Sequence, residues 1–84
     1  MTKAIKFYAD WCGPCKMYTK VWDKVSEQLK EEVEFVEVNI DKDTTGLAAK
    51  YNVRSIPYTV VIKEDNTERK VGLLSESALK NLLK

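Results

Sequence analysis

The chain has 84 residues, a net charge of +1, a hydrophobic fraction of 44%, two cysteines and no histidine. That length closes one hydrophobic core, so every functional residue is expected within a single domain spanning 1–84. The balanced charge leaves no electrostatic surface for nucleic acid, and no apolar run is long enough for a signal peptide or a membrane span, so the expected location is the cytoplasm. Ala4 to Ala9 alternates weakly and is rich in strand-favouring residues, and the turn-like stretch from Asp10 to Pro14 follows it. From Lys16 onward Tyr18, Val21, Trp22, Val25 and Leu29 recur at helical spacing among charged residues, which predicts one long amphipathic helix. Pro14 suits its first turn, where no amide hydrogen is needed. Val33 to Ile40 gives a second strand, and the intervening helix makes the two strands a parallel, right-handed βαβ unit. Asp41 to Thr45 offers caps for a short second helix with Leu47, Ala48 and Tyr51 inside, ending near Asn52. Tyr58 to Ile62 reads as a buried strand, Glu64 to Thr67 as a tight turn and Glu68 to Val71 as the returning strand. Ser75 is the expected N-cap of a closing helix, with Ala78, Leu79, Leu82 and Leu83 on its inner face. The order is β-α-β-α-β-β-α, an α/β chain without linker, repeat or low-complexity stretch.

Cysteine usage narrows the chemistry. Small secreted domains are usually stapled by several disulfides, whereas Cys12 and Cys15 are only three positions apart. A bridge between such near neighbours constrains the unfolded chain little, so a purely structural role explains them poorly. The absence of histidine removes the usual general base and the commonest metal ligand, and two thiolates cannot fill a tetrahedral zinc site within one chain. A zinc ion or cluster shared between two chains stays open. In Trp11-Cys12-Gly13-Pro14-Cys15-Lys16 the first cysteine falls at a helix start, near unpaired amide hydrogens and the positive end of the helix dipole. Both favour thiolate, which makes Cys12 the candidate nucleophile. Cys15 lies one turn deeper, placed to attack a mixed disulfide formed by Cys12. Gly13 admits a partner backbone and Pro14 restrains the turn.

The run Ala9-Asp10-Trp11-Cys12-Gly13-Pro14-Cys15-Lys16 resembles the active-site motif of the thioredoxin family. Val53-Arg54-Ser55-Ile56-Pro57 resembles the segment that sets a cis-proline opposite the cysteine pair, and Val71-Gly72 resembles the third loop of the substrate groove. The likeness covers nearly the whole chain. It implies a minimal thioredoxin fold, with a four-stranded mixed sheet ordered 2-1-3-4 and three helices. It also implies a substrate-binding rim of Trp11, Gly13, Pro14, Ile56, Pro57 and Gly72, and no bound cofactor beyond a redox-active Cys12–Cys15 disulfide. The implied activity is that of a monomeric cytoplasmic reductant of protein disulfides. Thioredoxin reductase, an NADPH-dependent flavoprotein, would recharge it, and ribonucleotide reductase or peroxidases would be its substrates.

Two other readings remain at this level. The first strand begins almost at Met1, a shorter core that resembles glutaredoxins and suggests glutathione dependence, yet their double-glycine and acidic pattern is missing around Val71 to Leu74. A non-catalytic subunit could instead clamp a larger enzyme through the same groove. Tyr8 stands where the family usually has Trp, Tyr58 where Thr follows the proline, and Lys20 where Pro kinks the helix, so partner choice is open.

Individual residues divide similarly. Trp11 is favoured as part of the groove over a mere rim aromatic, whereas Trp22 belongs to the core. Lys16 and Asp10 are equally well read as solvated charges or as groups tuning Cys12. Thioredoxins commonly bury an acid six residues before the first cysteine and a lysine on the neighbouring strand, and here those positions hold Lys6 and Glu37. Either both lie on a solvated face of the sheet, or they form a catalytic pair with the signs reversed, in which Glu37 reaches toward Cys15 and Lys6 favours the Cys15 thiolate by proximity.

Overall fold

The computed structural model describes residues 1–84. Its elements are β1 (Thr2–Tyr8), α1 (Gly13–Leu29), β2 (Val33–Asn39), α2 (Leu47–Lys50), β3 (Tyr58–Ile62), β4 (Thr67–Val71) and α3 (Glu76–Leu82). The sheet order is β2-β1-β3-β4, with β1 parallel to β2, antiparallel to β3, and β4 antiparallel to β3. No helix is long and apolar enough to cross a membrane.

The weak alternation of β1 has a structural cause. As a central strand it is covered on both faces, and Ala4, Ile5, Lys6 and Phe7 are all buried. Ala4 belongs to a core under α1 and α3, built from Tyr18, Trp22, Val25, Val33, Val61, Leu79, Leu82 and Leu83. Ile5 and Phe7 point the other way, joining Val38 and Val60 beneath α2 and its flanking loops. Trp22 is confirmed as core, its ring edge-on to Phe35 at 5.4 Å and to Tyr18 at 5.9 Å. These arrangements suit the aromatic quadrupole and hold α1 against the sheet.

The caps differ from expectation at α2. Its N-cap is Gly46 in a left-handed conformation (φ +77°), with no side-chain cap. Instead Asp43 and Thr45 reach in from the preceding loop, accepting the amide hydrogens of Ala48 at 3.0 Å and Leu47 at 3.1 Å respectively. The expected helix is confined to Leu47–Lys50, and Tyr51 is its C-cap. In α3 Ser75 is the N-cap, accepting from the Ala78 amide at 3.1 Å. Ala78 itself is exposed, which corrects its assignment to the inner face, because Leu79, Leu82 and Leu83 already fill the stripe that the sheet can cover.

Candidate active site

The strand β1 ends beside the helix α1, and both cysteines sit at that junction. The Cys12 amide donates to the Ala9 carbonyl at 3.2 Å, closing the turn that carries the chain into the helix. Cys12 is the N-cap of α1 (φ −91°, ψ 110°), and its Sγ accepts the Cys15 amide hydrogen at 3.2 Å. A sulfur therefore occupies the place where Ser, Thr or Asp would ordinarily cap a helix. The two cysteines form a disulfide with Cα atoms 5.2 Å apart, and neither is free. Cys12 keeps 6% of its surface and Cys15 only 1%. Together with Ala9 they form a small apolar cluster, against which Tyr8, Ile40 and Ile56 pack.

The other rim residues arrive from three segments. The Ile56–Pro57 peptide is cis, and Pro57 is fully buried at the start of β3. The amide of Gly72 donates to the Pro57 carbonyl at 2.8 Å, which draws the loop after β4 to the proline. Gly72 has φ +95°, a conformation that side-chain-bearing residues rarely adopt. Trp11 is 69% exposed, and its indole N–H donates to Asp41 Oδ2 at 2.8 Å. That contact orients the ring from the end of β2. Gly13, Pro14 and Lys16 are exposed around the sulfurs, and Asp10 pairs loosely with Lys42 at 3.8 Å.

Lys6 and Glu37 are direct register partners on β1 and β2, and their side chains meet at 2.7 Å. A solvated face does not describe Lys6, which is 0% exposed, because it points toward α1 and α1 covers that side of the sheet. Its Nζ donates to Thr19 Oγ1 at 2.9 Å and lies 5.2 Å from the Tyr8 ring centroid and 5.6 Å from that of Trp22. Thr19 in turn donates to the Cys15 carbonyl at 3.0 Å. Glu37 ends on Lys6, with 46% of its side chain exposed, so Thr19 is the residue that connects this pair to Cys15. The cysteine motif does not single out Thr19, although its position four residues after Cys15 puts it over that carbonyl in a helix. Asp41 reads from the sequence only as a cap, and nothing local ties it to Trp11 thirty residues away.

Deeper under the helix, the Tyr18 hydroxyl and Thr59 share a 2.7 Å hydrogen bond. Burial pushes the Tyr18 hydroxyl up to about 12, with the Thr59 bond opposing it. A shallow pocket lined by Tyr8, Ala9, Asp10, Cys15, Lys16 and Thr19 runs from the surface to Cys15. No group of three or more Cys, Asp or Glu side chains comes together in a metal-binding arrangement.

The chemistry that this geometry permits is thiol-disulfide exchange: as the disulfide the Cys12–Cys15 pair takes electrons from an external dithiol, and as the dithiol it reduces an external disulfide. Comparison with known proteins agrees. A family profile described as Thioredoxin matches residues 2–84. The thioredoxin of Rickettsia felis is 37% identical over 76 residues, covering 89% of this chain and 71% of that protein. The thioredoxin of Borreliella burgdorferi is 36% identical over 81 residues, covering 95% and 68%. Among solved structures, Fasciola hepatica thioredoxin superposes with a TM-score of 0.85 at 31% identity, over 98% of this chain and 77% of that one. A mutant thioredoxin from Halobacterium salinarum gives a TM-score of 0.85 at 36% identity, over 98% and 71%. With its cysteine pair at the head of α1 and this likeness along almost its full length, the chain belongs to the thioredoxin family and is a thiol-disulfide oxidoreductase that reduces protein disulfides.

Proposed function

We propose that Cys12 attacks the substrate disulfide and Cys15 resolves the mixed disulfide, within one domain spanning 1–84. The observation that carries this division is the N-cap position of Cys12, whose sulfur receives the Cys15 amide hydrogen while Cys15 is nearly sealed from solvent. In the reduced chain that amide and the helix dipole favour the Cys12 thiolate. The thiolate attacks one sulfur of the substrate disulfide, and the other leaves as a thiolate that takes up a proton. Cys15 then loses its proton and attacks Cys12 Sγ, the bond to the substrate breaks, and the second substrate sulfur leaves with the electron pair. The substrate gains two electrons and two protons, and the chain ends as the disulfide.

Trp11, Gly13, Pro14, Ile56, Pro57 and Gly72 form the substrate rim in this reading. A bound segment lies extended along Ile56, pairing with its backbone as an added strand, so that specificity stays loose. An NADPH-dependent flavoprotein, thioredoxin reductase, restores the dithiol. Disulfide-forming enzymes such as ribonucleotide reductase or peroxidases are the substrates, and a monomer in the cytoplasm is the working form. The family membership supports this over glutathione dependence or a purely structural subunit. The test is trapping: Cys15→Ser should accumulate mixed disulfides through Cys12, and Cys12→Ser should accumulate none. Equal trapping by both variants sinks the assignment.

A further inference from the structure

Lysine is among the residues least often buried, and an ammonium loses its hydration there unless it is paired. Lys6 is nevertheless 0% exposed, between β1 and α1, and one residue, Thr19, links its ammonium to the Cys15 carbonyl. Its donors are directed to Glu37 and Thr19, with the faces of Tyr8 and Trp22 beside it. Thr19 passes the contact on, since the hydroxyl that accepts from Lys6 donates to the Cys15 carbonyl. Thr19 and Cys15 also line the same shallow pocket, which is a route for a proton between Cys15 and water.

We propose that Lys6 is a positioning residue for the resolving step: through Thr19 it holds the Cys15 turn of α1 in place, and its buried positive charge favours the Cys15 thiolate. This rests on the assignment of Cys15 as the resolving thiol. In the step itself Cys15 gives up its proton through the pocket to water, its thiolate attacks Cys12 Sγ, and the bond to the substrate sulfur breaks with the electron pair leaving on the substrate. A buried cation one hydrogen-bonded residue away from Cys15 lowers the cost of the first event. The companion carboxylate offsets only part of this, because Glu37 is half exposed on the edge strand, where solvent screens its charge. The remaining titratable groups facing this space are Tyr8 from β1, Tyr18 and Lys16 from α1, and Asp10 from the connecting turn; β3 contributes Thr59, which does not titrate. Tyr18 is tied to Thr59 and stays neutral far above physiological pH.

The experiment is stopped-flow reaction of the reduced full chain with an aromatic disulfide whose thiolate is coloured. The first equivalent released reports attack by Cys12 and the second reports resolution by Cys15. Lys6→Met combined with Glu37→Gln removes the cation without leaving an unpaired carboxylate. At neutral pH its second phase should be about tenfold slower, with the pH midpoint of that phase displaced upward and the first phase unchanged within about twofold. Lys6→Arg, which keeps the charge, should restore the second phase. Thr19→Val should slow the second phase and Thr19→Ser should leave it near the parent rate. An unchanged pH midpoint in the double variant overturns the proposal, as does equal slowing of both phases, which marks a structural defect only. If the double variant fails to fold, the Thr19 pair decides: equal second phases in Val and Ser break the link to Cys15. A first phase that survives in Cys12→Ser would instead refute the assignment of the nucleophile, independently of Lys6.

Discussion

Replacing Tyr18 with Phe isolates one buried hydroxyl, and the structure fixes both the size and the pH dependence of its effect. Tyr18 is 0% exposed under α1, and its hydroxyl meets Thr59 at 2.7 Å. At pH 8 Tyr18→Phe removes that bond and leaves Thr59 unpaired, a loss of about 1–2 kcal/mol. Burial places the folded-state pKa at about 12 against an ordinary value of 10.0. A raised pKa means that the folded chain holds its proton more tightly, so this stability is complete below pH 10 and declines as pH rises toward 12. From the linkage relation the parent loses about 1.4 kcal/mol by pH 11 and about 2.7 kcal/mol in full, whereas the Phe variant has no such proton to lose. The two stability curves should therefore converge near pH 11. The measurement is urea unfolding of the oxidised protein at intervals from pH 8 to 11, where no free thiol contributes a titration of its own. Tyr8, Tyr51, Tyr58 and the lysines are common to both proteins, so their contributions cancel in the difference. Parallel curves across that range would refute the reasoning.

Other outcomes follow from the caps and turns. Ser75→Ala should cost about 1 kcal/mol by removing the acceptor for the Ala78 amide, read as a lower urea midpoint with unchanged slope. A Cβ added at Gly72 would meet no atom within 4 Å, so substitutions there are penalised by backbone conformation alone. Asn, which tolerates the left-handed region, should therefore destabilise less than Val, whose penalty is about 1–3 kcal/mol, and urea midpoints of the two variants give the comparison. Hydrogen bonds from the Thr45 hydroxyl and the Ala48 amide hold the Asp43 carboxyl below its ordinary value of 3.8. A depressed pKa gives stability that is present above the ordinary value and lost as pH falls below it, so Asp43→Asn should flatten part of the acid limb of the stability profile. Unfolding measured from pH 6 down to pH 2 checks this, and an acid limb identical to that of the parent counts against it.

Much of the fold is legible because its signals are local. The stripe through Tyr18, Trp22 and Val25 and the cap at Ser75 each lie within a few residues and sit where their patterns point, and the return read at Glu64 to Thr67 is one residue tighter, with Thr67 already paired to Ile62 in β4. The cysteine motif is also local, since a helix start is the one place where two residues three apart give a capping sulfur and a buried one. Pairings between elements are less readable. Whether Lys6 faces solvent or core depends on which face α1 covers, and a shift of one residue in β1 would exchange Lys6 for Phe7. Strict alternation could have indicated the face, but a strand buried on both sides carries little of it. The Trp11–Asp41 and Lys6–Thr19 contacts depend on how separate segments end beside one another, which no periodicity encodes. At α2 the capping carboxylate is not adjacent to the helix start, since Asp43 reaches Ala48 from five residues away, a span that the usual capping pattern does not cover.

The two sulfurs are served by different sources of positive potential, and the difference bears on how the reaction is divided. Cys12 draws on the backbone: its sulfur lies at the head of a 17-residue helix and receives an amide hydrogen that would otherwise lack a partner. That source is permanent and needs no side chain, so it survives substitution around the rim. Cys15 lies inside the first turn, where its own amide is already used to cap with Cys12, so the capping hydrogen bond serves Cys12 and not Cys15. In the apolar cluster of Ala9, Ile40 and Ile56 a second thiolate would be costly. A resolving thiol in such surroundings needs either an acceptor for its proton or a nearby cation, and the side chain that α1 and β1 enclose, linked through Thr19 to the Cys15 carbonyl, is an ammonium. Glu37 then has a separate task, holding that ammonium in place from the edge of the sheet while its own charge faces water. This separation predicts that neutralising Glu37 alone, as in Glu37→Gln, lowers the urea midpoint before it slows the second phase of exchange, because a cation left unpaired in the core is the larger loss.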